Sequence, residues 1–150
     1  MTCFKRHIMI LESMHFEEEN VEATMTKIII RELHISILNI YAAPSATLAN
    51  ILKILTKSLC NMPLNERIII IGDLNVDMLQ SNNKTKSLEN YMSSYNLHFL
   101  LDKKDHLATS LIDHLWSNIT NKYKIFKLDT HWSEHDTICL VLNNSNTNES

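Results

Sequence analysis

Residues 68–71 are four consecutive isoleucines, and they run directly into Gly72, the single glycine of the chain. β-Branched residues suit a pleated strand, and a strand apolar on both faces belongs in the middle of a sheet with both faces covered. The run therefore predicts a central, buried strand. A glycine at its end permits a turn or a close approach of the backbone to a neighbour. Asp73 and Asn75 follow at the C-terminal end of that strand, which is where open α/β sheets place ligand sites.

The rest of the chain has to supply the layers around this strand. With 150 residues it is long enough for one domain with a substantial core. A strand-like pattern at 8–11 and another at 25–30 flank an acidic turn-like stretch at Glu17 to Asn20, and residues 34–41 (HISILNIY) predict a third strand, central and ended by Pro44. Leu48, Ile51, Leu52, Leu55 and Leu59 then recur at helical spacing, with Ser45 or Thr47 available to cap the helix. Strand, helix and isoleucine strand in succession predict a crossover unit. Leu88, Tyr91, Met92 and Tyr95 mark a second amphipathic helix, and strands are expected at 97–101, 110–118, 123–128 and 137–142. The fold class is mixed α/β (α+β), with one domain over residues 1–142 and a disordered polar tail at 143–150.

Composition narrows the function classes. The net charge is −3, and the 14 basic residues are scattered. That excludes a strongly basic footprint for tight non-specific nucleic-acid binding, though not a weaker catalytic encounter. Cys3, Cys60 and Cys139 are odd in number and far apart, which points to an intracellular setting and away from a disulfide framework or a cysteine zinc site. No apolar run approaches the ~20 residues of a membrane span.

The polar residues around the predicted strand ends carry the chemical content. Asp73 and Asn75 are two apart, so continued strand geometry would point both the same way, towards an attacking water and a phosphate oxygen. Taken alone, Gly-Asp-x-Asn is equally a polar turn after a core strand. In SLIDHLW, alternation puts Leu111, Asp113 and Leu115 on one face and Ile112, His114 and Trp116 on the other, which is a candidate solvent side. An acid between leucines is costly to bury unless it is paired, and a histidine is a suitable partner. Glu134, His135 and Asp136 form a polar loop before the last strand. His131 and His135 are four apart, but no helical pattern surrounds them to make a zinc pair.

The order of these pieces, IYAAP, IIIIGDLNVD, SLIDHLW and WSEHD across residues 40–142, resembles the endonuclease/exonuclease/phosphatase family. More narrowly, it is similar to the nuclease domains of LINE-type retrotransposons. The resemblance implies a sandwich of two β-sheets flanked by helices and a hydrolase of phosphodiesters or phosphomonoesters that depends on magnesium or manganese. It implies DNA as the partner nucleic acid and, with that, a nuclear location. By motif, Asp73 matches the acid that orients the attacking water, Asn75 the amide that contacts the scissile phosphate, and Asp113 the acid that holds the catalytic histidine. His135 matches that histidine, Glu134 and Asp73 the metal-binding acids, and Tyr41 a tyrosine near the phosphate.

Three departures accompany the likeness. The family's opening strands, which carry an asparagine and the glutamate that is a principal metal ligand, have no counterpart here, so the fold is expected to be N-terminally truncated. The last motif is Ser-Glu-His in place of Ser-Asp-His, which moves a carboxylate by about a bond length where geometry matters to ~1 Å. YAAP stands for Tyr-Arg-Pro-Pro, with the loss of one basic residue. Two functions follow from different classes: a metal-dependent DNA endonuclease of weak turnover as this chain alone, and a non-catalytic relic or binding domain that keeps the fold.

Overall fold

A computed structural model describes residues 7–103, 110–119, 123–128 and 137–142. They fall into two units, the first within residues 1–118 and the second within residues 119–150.

The first unit is built on one mixed sheet. Its strands are β1 (Met9–Glu18), β2 (Val21–Ile30), β3 (Leu33–Ala42), β4 (Arg67–Asp73), β5 (His98–Phe99) and β6 (Asp113–Ser117), in the spatial order β1-β2-β3-β4-β6-β5. Antiparallel pairing joins β1 to β2 and β2 to β3. Helix α1 (Leu48–Leu59) then carries the chain over to β4, which pairs parallel with β3, as the expected crossover unit requires. Helix α2 (Asn83–Ser94) leads to β5 and β6, and β6 runs antiparallel to β4.

The isoleucine run behaves as its composition demands. Ile68, Ile69 and Ile70 are all buried, so β4 is covered on both faces. Helix α1 starts at Thr47, whose hydroxyl accepts the Asn50 N–H at 3.2 Å and satisfies one of the orphan donors of the first turn. Its buried stripe is Ile51, Ile54, Leu55, Ser58 and Leu59. Ser58 can sit there because its hydroxyl donates within the helix to the Ile54 and Leu55 carbonyls. The start of α2 is capped by the Asn82 side chain, which accepts the Thr85 N–H at 2.9 Å, and Leu88 and Met92 are its fully buried members.

Three sets of boundaries differ from the sequence expectation, and the simplest is the strand expected at 97–101, which shortens to His98–Phe99. The first hairpin is much longer than the apolar runs at 8–11 and 25–30, because β1 continues to Glu18 and β2 begins at Val21. The cause is alternation: Val21, Ala23 and Met25 point into the core while Glu22 is exposed, and β1 is an edge strand that tolerates polar side chains on its open side. The strand expected at 110–118 shortens to 113–117, because residues 111 and 112 bond the loop after β4 instead.

The second unit contains a single antiparallel pair among its described residues, β7 (Tyr123–Leu128) and β8 (Thr137–Leu142). One face of the pair carries the half-buried Tyr123, Ile125, Ile138, Leu140 and Leu142, and the other exposes Phe126, Leu128 and Val141.

Candidate functional site

Gly72 explains how β4 reaches its end. Its φ is +144°, and a Cβ at this position would lie 1.8 Å from the Ile40 carbonyl oxygen. Only glycine lets β4 press this closely onto β3. One residue later the register aligns three polar side chains on adjacent strands. Tyr41 of β3 is opposite Asp73 of β4, and Asp73 is opposite Asp113 of β6. Residues directly opposite share a face, and neighbouring strands are roughly 4.8 Å apart. Tyr41 is half exposed, and both aspartates are partly exposed. The same rung continues through Glu22 of β2 to Glu17 of β1.

Asn75 joins this group by a different route from the one its spacing implies. The strand geometry stops at Asp73, and Asn75 takes a left-handed conformation with φ +49°. The Asp73 carboxylate accepts the Asn75 N–H at 2.9 Å, which closes a tight turn. The Asn75 side-chain amide then donates to the carbonyl of Ala42, the neighbour of Tyr41. The polar-turn reading and the site reading thus describe the same local structure. The turn brings Asn75 to the Tyr41–Asp73–Asp113 rung.

Glu134 and His135 lie outside the described residues. Among the described residues, no group of three or more His, Cys, Asp or Glu side chains is arranged to hold a metal ion. The side-chain donors aligned at the rung, the Asp73 and Asp113 carboxylates and the Tyr41 hydroxyl, are all oxygens, the donor type that hard divalent cations take.

The surroundings are acidic. A cleft of about 550 Å³ beside Tyr41 is lined by Glu17, Glu18, Asn20, Val21, Glu22 and Ala43, with no Lys or Arg in that lining. The Lys57 ammonium, which donates to Glu18, pulls that carboxyl below its ordinary range. Glu18 is solvent-exposed enough that this pairing bears on local charge more than on stability.

Sequence reasoning placed His114 on a candidate solvent face, and the structure overturns this. His114 and Trp116 are buried, and so are Leu115 and Ser117 on the opposite face, so β6 is covered on both sides. The Trp116 indole N–H donates to His114 Nδ1 at 3.0 Å. Because an indole nitrogen only donates, the imidazole proton sits on Nε2, which donates to the Val76 carbonyl at 2.7 Å. Phe99 packs edge-on against both rings. Burial pushes the His114 pKa down to about 4, against the smaller opposing effect of the Val76 bond, so the ring is neutral at physiological pH. Asp77 also went unassigned in the sequence. Its carboxylate accepts the N–H groups of Leu79 at 3.0 Å and Leu111 at 2.9 Å, and the Gln80 side-chain amide at 3.0 Å. An acid two residues beyond Asn75 was the available signal, since Asp at such a spacing commonly accepts backbone N–H groups in turns.

Neither protein-family models nor curated protein sequences give a match to this chain. Solved structures do. The endonuclease domain of TRAS1, a telomere-specific non-LTR retrotransposon, superposes with a TM-score of 0.60 at 14% identity, over 81% of this chain and 63% of that one. The human Nocturnin catalytic domain gives 0.58 at 16% identity, over 91% of this chain and 60% of that one. An endonuclease/exonuclease/phosphatase family protein from Bacteroides thetaiotaomicron gives 0.54 at 12%, over 89% and 61%. The chain therefore has the endonuclease/exonuclease/phosphatase fold. At the level of that fold it is similar to the retrotransposon endonuclease domain that its motif order resembles, and it spans about three-fifths of the length of the structures it matches.

Proposed function

We propose that this chain carries part of a metal-dependent phosphodiester hydrolase centre, with DNA as the substrate class and a mobile-element endonuclease as the nearest functional type. The observation that carries the reading is the alignment of Tyr41, Asp73 and Asp113 on adjacent strands, with Asn75 turned in beside them. These are the residues that the motif resemblance assigns to phosphate chemistry, and strand pairing gathers them from three separate parts of the chain.

Each side chain then has a task. Asp73 orients a water for attack on phosphorus. Asn75 has two amide N–H donors, and the Ala42 carbonyl takes one. The other donates to a non-bridging phosphate oxygen. Tyr41 flanks the same phosphate from its half-exposed position on β3. The motif resemblance assigns Asp113 the task of orienting a catalytic histidine, and His135 the task of stabilising charge that develops at the phosphate. Asp73 would hold magnesium or manganese, and the motif resemblance assigns Glu134 the same task. That cation, when bound, neutralises phosphate charge, which an acidic rung and cleft without Lys or Arg would otherwise repel.

A second reading also has an observation behind it. Ser-Glu-His stands in place of Ser-Asp-His and YAAP in place of Tyr-Arg-Pro-Pro, as a non-catalytic domain that keeps the fold would tolerate. Nicking of supercoiled plasmid by the purified chain separates the two. The catalytic reading expects slow conversion to open circles that needs Mg²⁺ or Mn²⁺ and disappears in Asp73→Ala. Equal nicking by the wild type and Asp73→Ala, or none by either at any metal concentration, would leave the non-catalytic reading.

A further inference from the structure

We propose that Asp77 and His114 are positioning residues that clamp the loop 74–79 to the chain entering β6, and so fix Asn75 for phosphate contact; the functional half of this statement rests on the reading above.

Asn75 stands between two buried anchors, Leu74 and Val76, in a left-handed conformation that is uncommon for a residue with a side chain. The Asp73 carboxylate holds its N–H from the β4 side. Four bonds join its loop to residues 111–114. Two are made by backbone alone: Leu74 N–H to the Ile112 carbonyl at 3.2 Å, and Met78 N–H to the Leu111 carbonyl at 2.9 Å. The other two depend on side chains. Asp77 accepts the Leu111 N–H while it also closes its own turn on Leu79, and His114 donates to the Val76 carbonyl.

Both of these bonds fall just after Asn75 in the chain. The His114 bond holds the residue immediately after it, and the Asp77 bond holds the residue two positions after it. The Trp116 indole gives His114 a single usable tautomer, so its bond to Val76 has a fixed sense. With the backbone held on this side, the Asn75 amide is directed to the Ala42 carbonyl on the other. Catalytic contacts are sensitive to displacements of ~1 Å, and groups whose own geometry is locked by hydrogen bonds supply that accuracy. Neither Asp77 nor His114 touches substrate on this account.

The test is hydrogen exchange of the Asn75 side-chain amide, read by NMR on the full ¹⁵N-labelled chain, with the backbone amides of Ile54 and Leu55 in α1 as reference. Asp77→Ala and His114→Leu are expected to speed Asn75 exchange by roughly tenfold or more, as for the loss of a buried hydrogen bond, with the α1 reference changed far less. Asp77→Asn keeps a side-chain oxygen to accept the two N–H groups, and His114→Gln keeps an N–H for Val76. Both are expected to stay within about threefold of wild type on the same grounds. Trp116→Phe, which releases the tautomer and leaves the Val76 bond possible, falls between. Unchanged Asn75 exchange in folded Asp77→Ala overturns the clamp. So does a parallel rise at Asn75 and in α1, which marks general destabilisation. If His114→Leu does not fold, the Asp77 pair decides. Because the readout is exchange rather than cleavage, absence of nicking by wild type would defeat the hydrolase reading alone, and unchanged exchange would defeat the clamp alone.

Discussion

The C-terminal end of β4 and the β1–β2 hairpin belong to one sheet but are held by opposite means. At the end of β4, polar groups are buried or half-buried, and three short contacts run to specific backbone partners: Asp73 to Asn75, Asp77 to Leu111, His114 to Val76. On the hairpin, the charged side chains face solvent, and an ion pair such as Lys27–Glu12 at 3.3 Å connects partly exposed groups. Buried polar groups are costly to leave unpaired, so their partners fix geometry. Exposed pairs are screened and cost side-chain entropy to order. Local precision is therefore concentrated around Asn75, while the hairpin supplies surface and charge.

The largest expected effect tests the β4 end at its tightest point. Gly72→Ala places a methyl group against the Ile40 carbonyl oxygen at 1.8 Å, which the backbone can relieve only by moving β4 away from β3. We expect a loss of about 4 kcal/mol or more, or no folded protein, in urea unfolding. A variant within 1 kcal/mol of wild type, an allowance about the size of an ordinary substitution, would show that the close approach is unnecessary.

The next effect is on pH dependence. His114 is neutral in the fold with its pKa lowered to about 4, while in the unfolded chain it titrates near 6.5. Between those values the unfolded chain binds more protons, so stability falls as pH drops from 6.5 towards 4 and is fully present above 6.5. The contribution lost by pH 4 is up to about 3 kcal/mol. His114→Gln should flatten that part of the stability–pH curve, and an unchanged curve would place the acid sensitivity elsewhere. The smallest effect is on the hairpin: Lys27→Ala should cost less than about 1 kcal/mol and become undetectable in high salt. A larger, salt-independent loss would erase the contrast between the two regions.

Much of the fold was legible because strong local patterns agreed with it. The isoleucine run, the leucine stripe of α1 and the apolar 34–41 segment together specified β3–α1–β4, and the structure pairs β3 with β4 in parallel. The length of the first hairpin was not legible from apolar runs, because Val21, Ala23 and Met25 signal burial only by alternation and β1 is mostly exposed. The site was legible in part. Tyr41, Asp73, Asn75 and Asp113 carry the motif resemblance; strand register aligns Tyr41, Asp73 and Asp113, and a turn adds Asn75. How Asn75 reaches them was hidden, since its side chain bonds the carbonyl of Ala42, 33 positions away. His114 was misplaced because alternation tells which residues share a face but not whether both faces are covered, as they are in β6. The neutral, doubly bonded imidazole satisfies its core position without charge.

The central claim is that the end of β4 is a cation-dependent phosphate site organised by Asp73. Calorimetric titration of Mn²⁺ into the purified chain, alongside Asp73→Ala, tests it most directly. The account predicts one saturable site in the wild type that is lost in Asp73→Ala while the fold is kept. Identical binding isotherms for the two proteins, or no binding by the wild type, would contradict it.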